Sequence, residues 1–234
     1  VVAAAVFFAG RRLQASAATA ERTLRPVSFF QVTDAPGVES APTLSPDGKN
    51  VVYVRDTNAR KALYLLRIGG RNPVALAPDS TSDDVQPAFS PDGERIAFRS
   101  ERDGGGIFVM GSTGESVKRV TDAGYNPAWS PDGREIALSA GSFYFPTDRG
   151  GRGQGLWVAD VGTGRRRDVL KGGDGMQPSW SPHGDRIAYW GLRGSTGQRD
   201  LWTVAADGSE ANTSGVEVTH DTALDWSPSW SPDG

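Results

Sequence analysis

Carboxylate and amide side chains recur at fixed distances ahead of five prolines in this 234-residue chain. Acidic residues stand three positions before three of these prolines, and amides stand one position before three of them. The acidic residues are Glu39, Asp84 and Asp225, and the amides are Gln86, Asn126 and Gln177. Oxygen-rich side chains in such a repeat can hold a cation or the terminus of a peptide. Turn and strand-start chemistry also favours Asp and Asn at such places and is the alternative explanation.

A second candidate binding element is an aromatic and basic stretch that contains Phe143, Tyr144 and Arg149. It lies in an insertion, because 26 residues separate Ser130 from Leu156, whereas the corresponding distance is 17 or 18 residues in the two preceding repeats. Aromatic and Arg side chains in a surface loop are typical of recognition surfaces. An insertion that is merely solvated is the other interpretation.

The sequence contains few of the residues and motifs that catalytic sites and metal sites need. The chain has no Cys, which excludes disulfides, thiolate metal sites and Cys nucleophiles, and its only two His are His183 and His220. Nucleophile-elbow, phosphate-loop, zinc-protease and kinase motifs are all missing, and the Gly-rich run 150–155 lacks a strand-then-helix context. We therefore predict a non-enzymatic segment with no cofactor and no metal. A formal charge of −3 also argues against nucleic acid as a partner.

The elements that must position these residues come from an internal repeat. Ser-Pro-Asp-Gly begins at Ser45, Ser90, Ser130 and Ser231, and Ser-Pro-His-Gly begins at Ser181, with spacings of 45, 40, 51 and 50 residues. A large apolar residue precedes each motif, and a small residue precedes that one. The large residues are Leu44, Phe89, Trp129, Trp180 and Trp230, and the small ones are Thr43, Ala88, Ala128, Ser179 and Ser229. Periods of this length are typical of propellers and solenoids.

Each repeat predicts four antiparallel strands. Six residues after each motif Ser, a strand begins with a large-small-large pattern, as in Ile96-Ala97-Phe98. The motif itself is a hairpin turn, since Pro presets φ, Asp accepts local hydrogen bonds and Gly adopts the left-handed conformation. A third strand follows in each unit and a fourth in most. The third strands are Leu63 to Ile68, Ile107 to Met110, Leu156 to Val161 and Leu201 to Val204, and the clearest fourth strands are 118–121 and 217–219.

We therefore predict an all-β fold, a β-propeller of four-stranded antiparallel blades with four full repeats and the start of a fifth. The small first-strand residues leave room for an aromatic side chain of the neighbouring blade. Second-to-third loops and blade connections share one face, so the polar side chains ahead of the prolines should surround the mouth of the central channel. A protein or small ligand would bind at this mouth.

The repeats NPAWSPDGREIAL, QPAFSPDGERIAF and QPSWSPHGDRIAY resemble the WD-like repeat of the TolB-type β-propeller family over residues 28–234. The resemblance implies a six-bladed propeller in which an N-terminal strand completes the last blade. The stretch 28–33 (SFFQVT) matches the fourth-strand phrases and would be that strand. Because only the opening strand of a fifth repeat is present, the expectation is a fragment that forms an open arc.

The N-terminal residues predict an anchor. Residues 1–12 are an apolar run closed by Arg11 and Arg12, which we interpret as the end of a transmembrane or signal-anchor segment, followed by a linker at 13–27. A cleaved signal peptide and a disordered tail are the alternatives. In the first interpretation the propeller is extracytoplasmic, periplasmic or at the cell surface, and meets the membrane only through this segment.

The resemblance implies three settings for such a propeller. The first is the sensor or interaction half of a membrane-anchored bacterial signalling protein, either a Ser/Thr kinase or a winged-helix regulator. The second is the propeller of a prolyl-oligopeptidase-like or dipeptidyl-peptidase-IV-like serine peptidase whose catalytic domain lies downstream. The third is the periplasmic TolB component of the Tol-Pal envelope system. The apolar run ahead of the propeller favours the first.

Overall fold

The computed structural model describes residues 28–57, 60–141, 155–192, 198–213 and 215–234. The chain divides into two units, residues 1–31 and 32–234. Within the first unit only residues 28–31 are described; they form no strand, and Phe29 and Phe30 are exposed. None of the helices in the described ranges has the length and apolar character needed to cross a membrane.

The second unit contains four sheets of four antiparallel strands, each built from consecutive strands, which confirms the predicted blades. The strands of blades one and two are β1 (Glu39–Leu44), β2 (Asn50–Asp56), β3 (Lys61–Arg67), β4 (Val74–Ala75), β5 (Asp84–Phe89), β6 (Arg95–Ser100), β7 (Gly106–Gly111) and β8 (Lys118–Arg119). Those of blades three and four are β9 (Tyr125–Trp129), β10 (Glu135–Ser139), β11 (Leu156–Asp160), β12 (Arg166–Leu170), β13 (Met176–Trp180), β14 (Arg186–Leu192), β15 (Arg199–Ala205) and β16 (Val216–Glu217). One short 3-10 helix, Arg102–Gly104, follows β6.

The first strands of neighbouring blades contact one another, so β1, β5, β9 and β13 form the inner ring of the propeller. Because each blade meanders, its Ser-Pro-Asp-Gly turn and its third-to-fourth turn lie at one end, which we call the turn face. The blade connections and the second-to-third loops lie at the other end, which we call the mouth face. Every first strand begins at the mouth face.

Side-chain alternation along the second strands builds the core between blades. In β6 the large residues Ile96 and Phe98 pack against Val52 and Val54 of blade one, whereas Ala97 packs in the next interface with Trp129 of blade three. Trp129 is 7% exposed and donates its indole N–H to the carbonyl of Ala88, 3.0 Å away. The prediction that a small first-strand residue accommodates the neighbour's aromatic ring is thus confirmed at this interface.

The fifth repeat differs from the prediction of an opening strand, because no strand follows β16 among the described residues. In the four blades the first strand pairs with a second strand that comes after the motif, whereas the fifth Ser-Pro-Asp-Gly is the last four residues of the sequence. The indole N–H of Trp230 nevertheless donates to the carbonyl of Ser179 at 2.9 Å, as Trp129 does to Ala88. Residues 28–33, the other strand expected from the repeat, also carry no strand.

The Ser-Pro-Asp-Gly turns are locked by their own side chains. In blades one to three the motif Ser donates its hydroxyl to the motif Asp at 2.5 to 2.6 Å, and that Asp accepts a backbone N–H two residues further on. The Ser oxygen in turn accepts the N–H at the start of the second strand, at 2.9 Å. In blade four, where His183 replaces the Asp, Ser181 donates instead to Asp185 at 2.8 Å. The turn therefore keeps a carboxylate although the motif has lost one.

These hydrogen bonds predict an acid-dependent stability. The Ser hydroxyls lower the pKa of Asp92 and Asp132, and Ser45 lowers the pKa of Asp47 to about 2. A carboxylate whose pKa is lower in the folded than in the unfolded chain stabilises the fold above about pH 4, and this contribution is lost as the pH falls towards 2. We expect the triple variant Asp47→Asn, Asp92→Asn, Asp132→Asn to melt at a lower temperature at pH 7. The difference from the wild type should shrink between pH 4 and pH 2 in melts followed by circular dichroism, and a constant difference would contradict the assignment.

Candidate functional site

A backbone bulge repeats at the mouth face in every first strand. The pairing of each first strand with its second strand shifts register next to the residue that precedes the repeat Pro. That residue has a left-handed backbone in all four blades and in the fifth repeat. The φ values are 47° at Ala41, 54° at Gln86, 52° at Asn126, 46° at Gln177 and 51° at Ser227. Such a conformation costs of order 1 kcal/mol or more for a residue other than Gly, and bulges of this kind re-aim side chains at functional sites.

Two of the three predicted amide side chains link neighbouring repeats at this position. Gln86 accepts the backbone N–H of Asn126, its counterpart in the next blade, on its side-chain oxygen at 2.9 Å. Gln177 accepts the hydroxyl of Ser227, again the counterpart in the next repeat, at 2.9 Å and the indole N–H of Trp190 at 2.8 Å. The amide oxygen of each Gln side chain therefore links its own repeat to the next one along the chain.

Two of the predicted acidic residues are neutralised within their own blades. Glu39 lies 3.3 Å from Arg55, whose guanidinium stacks over the ring of Tyr64 at 5.0 Å. Asp84 is completely buried, and one of its oxygens lies 2.7 Å from a guanidinium nitrogen of Arg102. These ion pairs leave little negative charge for a cationic ligand in blades one and two.

The third acidic residue, Asp225, has one buried carboxylate oxygen without a hydrogen-bond partner, while its backbone N–H donates to the carbonyl of Arg199 at 3.1 Å. No group of three or more His, Cys, Asp or Glu that could hold a metal ion occurs within the described ranges. The arrangement thus gives the cation interpretation no ligand set in this part of the chain.

The structure brings to the mouth two hydrogen-bond donors that repeat alignment missed, Arg99 and Tyr125, next to the predicted Asn126. At the junction of blades two and three, the guanidinium of Arg99 stacks on the ring of Tyr125, 4.7 Å from the ring centroid. Next to Tyr125, the side-chain oxygen of Asn126 accepts the hydroxyl of Ser139 at 3.0 Å. Ser139 occupies in β10 the register position that Arg99 occupies in β6. We call Arg99, Tyr125 and Asn126 the blade 2–3 notch.

The remaining residues considered in the sequence are three residues of the insertion and the two His. Phe143, Tyr144 and Arg149 lie outside the described residues. His183 donates its Nε2–H to the carbonyl of Asp233 at 3.1 Å, within the row of turns, as expected for a turn residue. The other His, His220, lies 3.1 Å from Glu217 and is exposed. Neither His touches a Ser or Thr hydroxyl within the described ranges, so no nucleophile–base pair forms there.

The repeat of this propeller matches that of a known protein family. The profile described as the TolB β-propeller domain matches residues 22–143, slightly more than half of the chain. The chain belongs to the TolB β-propeller family. The TolB-type resemblance of the repeats is thereby confirmed.

Individual TolB-like proteins support this assignment. A protein named TolB homolog from Chlorobium luteolum is 31% identical over 190 residues, which are 79% of this chain and 41% of that protein. The solved structure of a candidate TolB from Agrobacterium tumefaciens superposes with a TM-score of 0.71 at 27% identity, covering 87% of this chain and 69% of that one. An uncharacterized peptidase of Bacillus subtilis, YuxL, is 32% identical over 111 residues, 42% of this chain and 16% of the peptidase. The chain thus spans less than half the length of these two curated relatives.

Proposed function

We propose that this TolB-type propeller is a non-enzymatic binding module that holds a protein or small ligand at its mouth face. The observation that carries the proposal is the left-handed residue ahead of the repeat Pro, which recurs in the first strands of the four blades and in the fifth repeat in spite of its conformational cost. Four of the five residues have polar side chains, and they lie where the first strands begin. The repeat predicts that the insertion with Phe143, Tyr144 and Arg149 lies on the same face, where it would extend the binding surface.

We further propose that the module works outside the cytoplasm. The TolB-named relative and the apolar run at residues 1–12 support this location and a membrane attachment through that run. The finer proposal, a sensor or interaction part of a membrane-anchored kinase or winged-helix regulator, rests on the apolar run alone. Sequencing of the gene upstream of Val1 tests it, since a cytoplasmic kinase or DNA-binding domain should be encoded there.

A photo-crosslinking experiment in the source cells tests the binding face. We expect a benzoylphenylalanine at Leu224, which is exposed on the connection between blade four and the fifth repeat, or at Tyr144 to capture a partner. Benzoylphenylalanine in place of Lys49, which is exposed on the turn face, is the matched control and should capture no partner. Equal capture at Lys49 would show that the mouth face is not the binding face.

A peptidase propeller is the second candidate, and the similarity to YuxL favours it. In that case the catalytic Ser, Asp and His would come from another domain of the same polypeptide, and the propeller would only admit substrate. The test is the sequence that follows Gly234 in the gene, where a Gly-x-Ser-x-Gly elbow should then appear.

A further inference from the structure

The blade 2–3 notch contains an arginine whose guanidinium is held rigidly but whose hydrogen-bond donors are not all paired. The Arg99 side chain is 7% exposed, with the Tyr125 ring stacked on its guanidinium. Gly105 approaches the guanidinium so closely that a Cβ there would lie 2.7 Å from one terminal nitrogen and 3.2 Å from the other. Both contacts fix the plane of the guanidinium, which is the pre-organisation that recognition of a carboxylate needs.

Three donor groups in the notch have no acceptor among the described residues. They are the second terminal nitrogen of Arg99 (Nη1), the hydroxyl of Tyr125 and the side-chain nitrogen of Asn126. None of them is among the polar atoms that are closed off from water without a partner. The notch therefore offers donors to a molecule that arrives from the mouth.

The first-strand position next to Tyr125 carries no acidic side chain. Blades one and two and the fifth repeat have Glu39, Asp84 and Asp225 at this repeat position, whereas blade three has Gly124 and blade four has Gly175. The first strand of blade three therefore places no acidic side chain beside Tyr125 and Asn126 that would repel an acceptor from a partner.

The carboxylate of Glu101 already binds two of the guanidinium nitrogens of Arg99. One oxygen of Glu101 accepts from Arg99 Nε at 3.1 Å and from Nη2 at 2.6 Å. Glu101 is 54% exposed and lies between β6 and the 3-10 helix, so a rotation of its side chain releases the arginine without moving a strand. The pair shows that a carboxylate fits in the plane of the guanidinium, and it leaves Nη1 uncovered.

We propose that the blade 2–3 notch binds a carboxylate of the partner, with Arg99 as the anchor and Glu101 as an internal competitor. The inference rests on the proposed function, because it names the chemistry that the mouth face selects. The partner carboxylate accepts from Arg99 and from the Tyr125 hydroxyl or the Asn126 amide, and Glu101 turns towards solvent. The recognised segment is therefore acidic or ends in a free carboxyl group at this point.

The test uses the full chain and short synthetic peptides, followed by NMR through the Nε–Hε signal of Arg99 and the backbone N–H signals of Tyr125 and Asn126, which are present in every variant. The peptide Gly-Gly-Glu-Gly-Gly, acetylated and amidated at its ends, should shift the Arg99 signal. The same peptide with Gln in place of Glu has no carboxylate and should not shift it. An acetylated Gly pentapeptide with a free C-terminus distinguishes a terminal from a side-chain carboxylate. Arg99→Lys should weaken binding of the better peptide about tenfold, because lysine keeps the charge but loses the planar pair of donors and the stacking on Tyr125. Tyr125→Phe should weaken it about threefold, because one hydroxyl hydrogen bond is lost. Arg134→Gln, an 82% exposed arginine on the turn face, should change nothing.

Glu101→Gln gives the result that a purely structural ion pair does not predict. Removing the competing charge should tighten binding of the carboxylate peptide about threefold while the fold stays intact, because the side chain is half exposed. The proposal is overturned if Glu101→Gln binds no more tightly than the wild type, or if Glu and Gln peptides bind equally. If the peptides fail while crosslinks at Leu224 form, carboxylate recognition is wrong and the proposed function stands. Peptide binding without any crosslink would support carboxylate recognition by the notch and contradict partner binding at the mouth face in the cell.

Discussion

Replacing Trp129 by Ala should lower the free energy of unfolding by about 3 to 5 kcal/mol. The ring lies in the interface between blades two and three, packed with Ala97 and Val109 and covered by Arg95, whose guanidinium stands 4.7 Å from the ring centroid. The substitution removes this buried surface, leaves a cavity and abandons the hydrogen bond to the carbonyl of Ala88. Urea unfolding followed by fluorescence of the remaining Trp residues and by circular dichroism measures the loss.

The chain contains its own control for this substitution. Leu44 occupies the same repeat position in blade one but is 59% exposed, so Leu44→Ala should cost less than about 1 kcal/mol. Trp129→Phe keeps much of the buried aromatic surface but loses part of the ring system and the indole N–H, so its cost should fall between the two. If Leu44→Ala proved as damaging as Trp129→Ala, the cost would come from the strand and not from packing between blades.

The blades were predictable because their signals are local and repeated. The pattern Ile187-Ala188-Tyr189 predicts a strand that faces two neighbours, and the structure places Ile187 and Tyr189 in the interface with blade three. The bulge was less visible, since the repeated Pro marks its place but does not reveal the left-handed residue before it. Strand ends also shifted by one or two residues, as for β15, which begins at Arg199 and not at Leu201.

The chemistry of the mouth could not be predicted in the same way, because it depends on contacts between residues that do not share a repeat position. Glu39 pairs with Arg55 in the second strand, whereas Asp84 pairs with Arg102 in the loop after it, so no constant spacing indicates the partner. Arg99 meets Tyr125 only because β6 and β9 belong to adjacent blades. Repeat alignment predicted which positions face the mouth, but it could not show that Glu39 and Asp84 form ion pairs.

The buried ion pair between Asp84 and Arg102 should be the second large contributor to stability. Arg102 is held from two sides, since its guanidinium lies 5.3 Å from the Phe98 ring and 5.4 Å from the Phe108 ring while it binds the Asp84 carboxylate. Arg102→Met keeps an apolar side chain over both rings but leaves a completely buried carboxylate without its cation. We expect a loss of about 3 to 5 kcal/mol, the usual cost of an unpaired buried charge.

A double-mutant cycle separates the charge from the packing. Asp84→Asn removes the charge, so the double variant Asp84→Asn, Arg102→Met should recover at least about 1 kcal/mol of the loss seen in Arg102→Met alone. The exposed pair Arg134 and Asp132, 3.9 Å apart, is the matched control, and Arg134→Met should cost less than about 0.5 kcal/mol. Additive costs in the cycle would mean that Arg102 stabilises blade two only through its stacking on the two Phe rings. The mouth face would then depend on aromatic packing and not on charge for its rigidity.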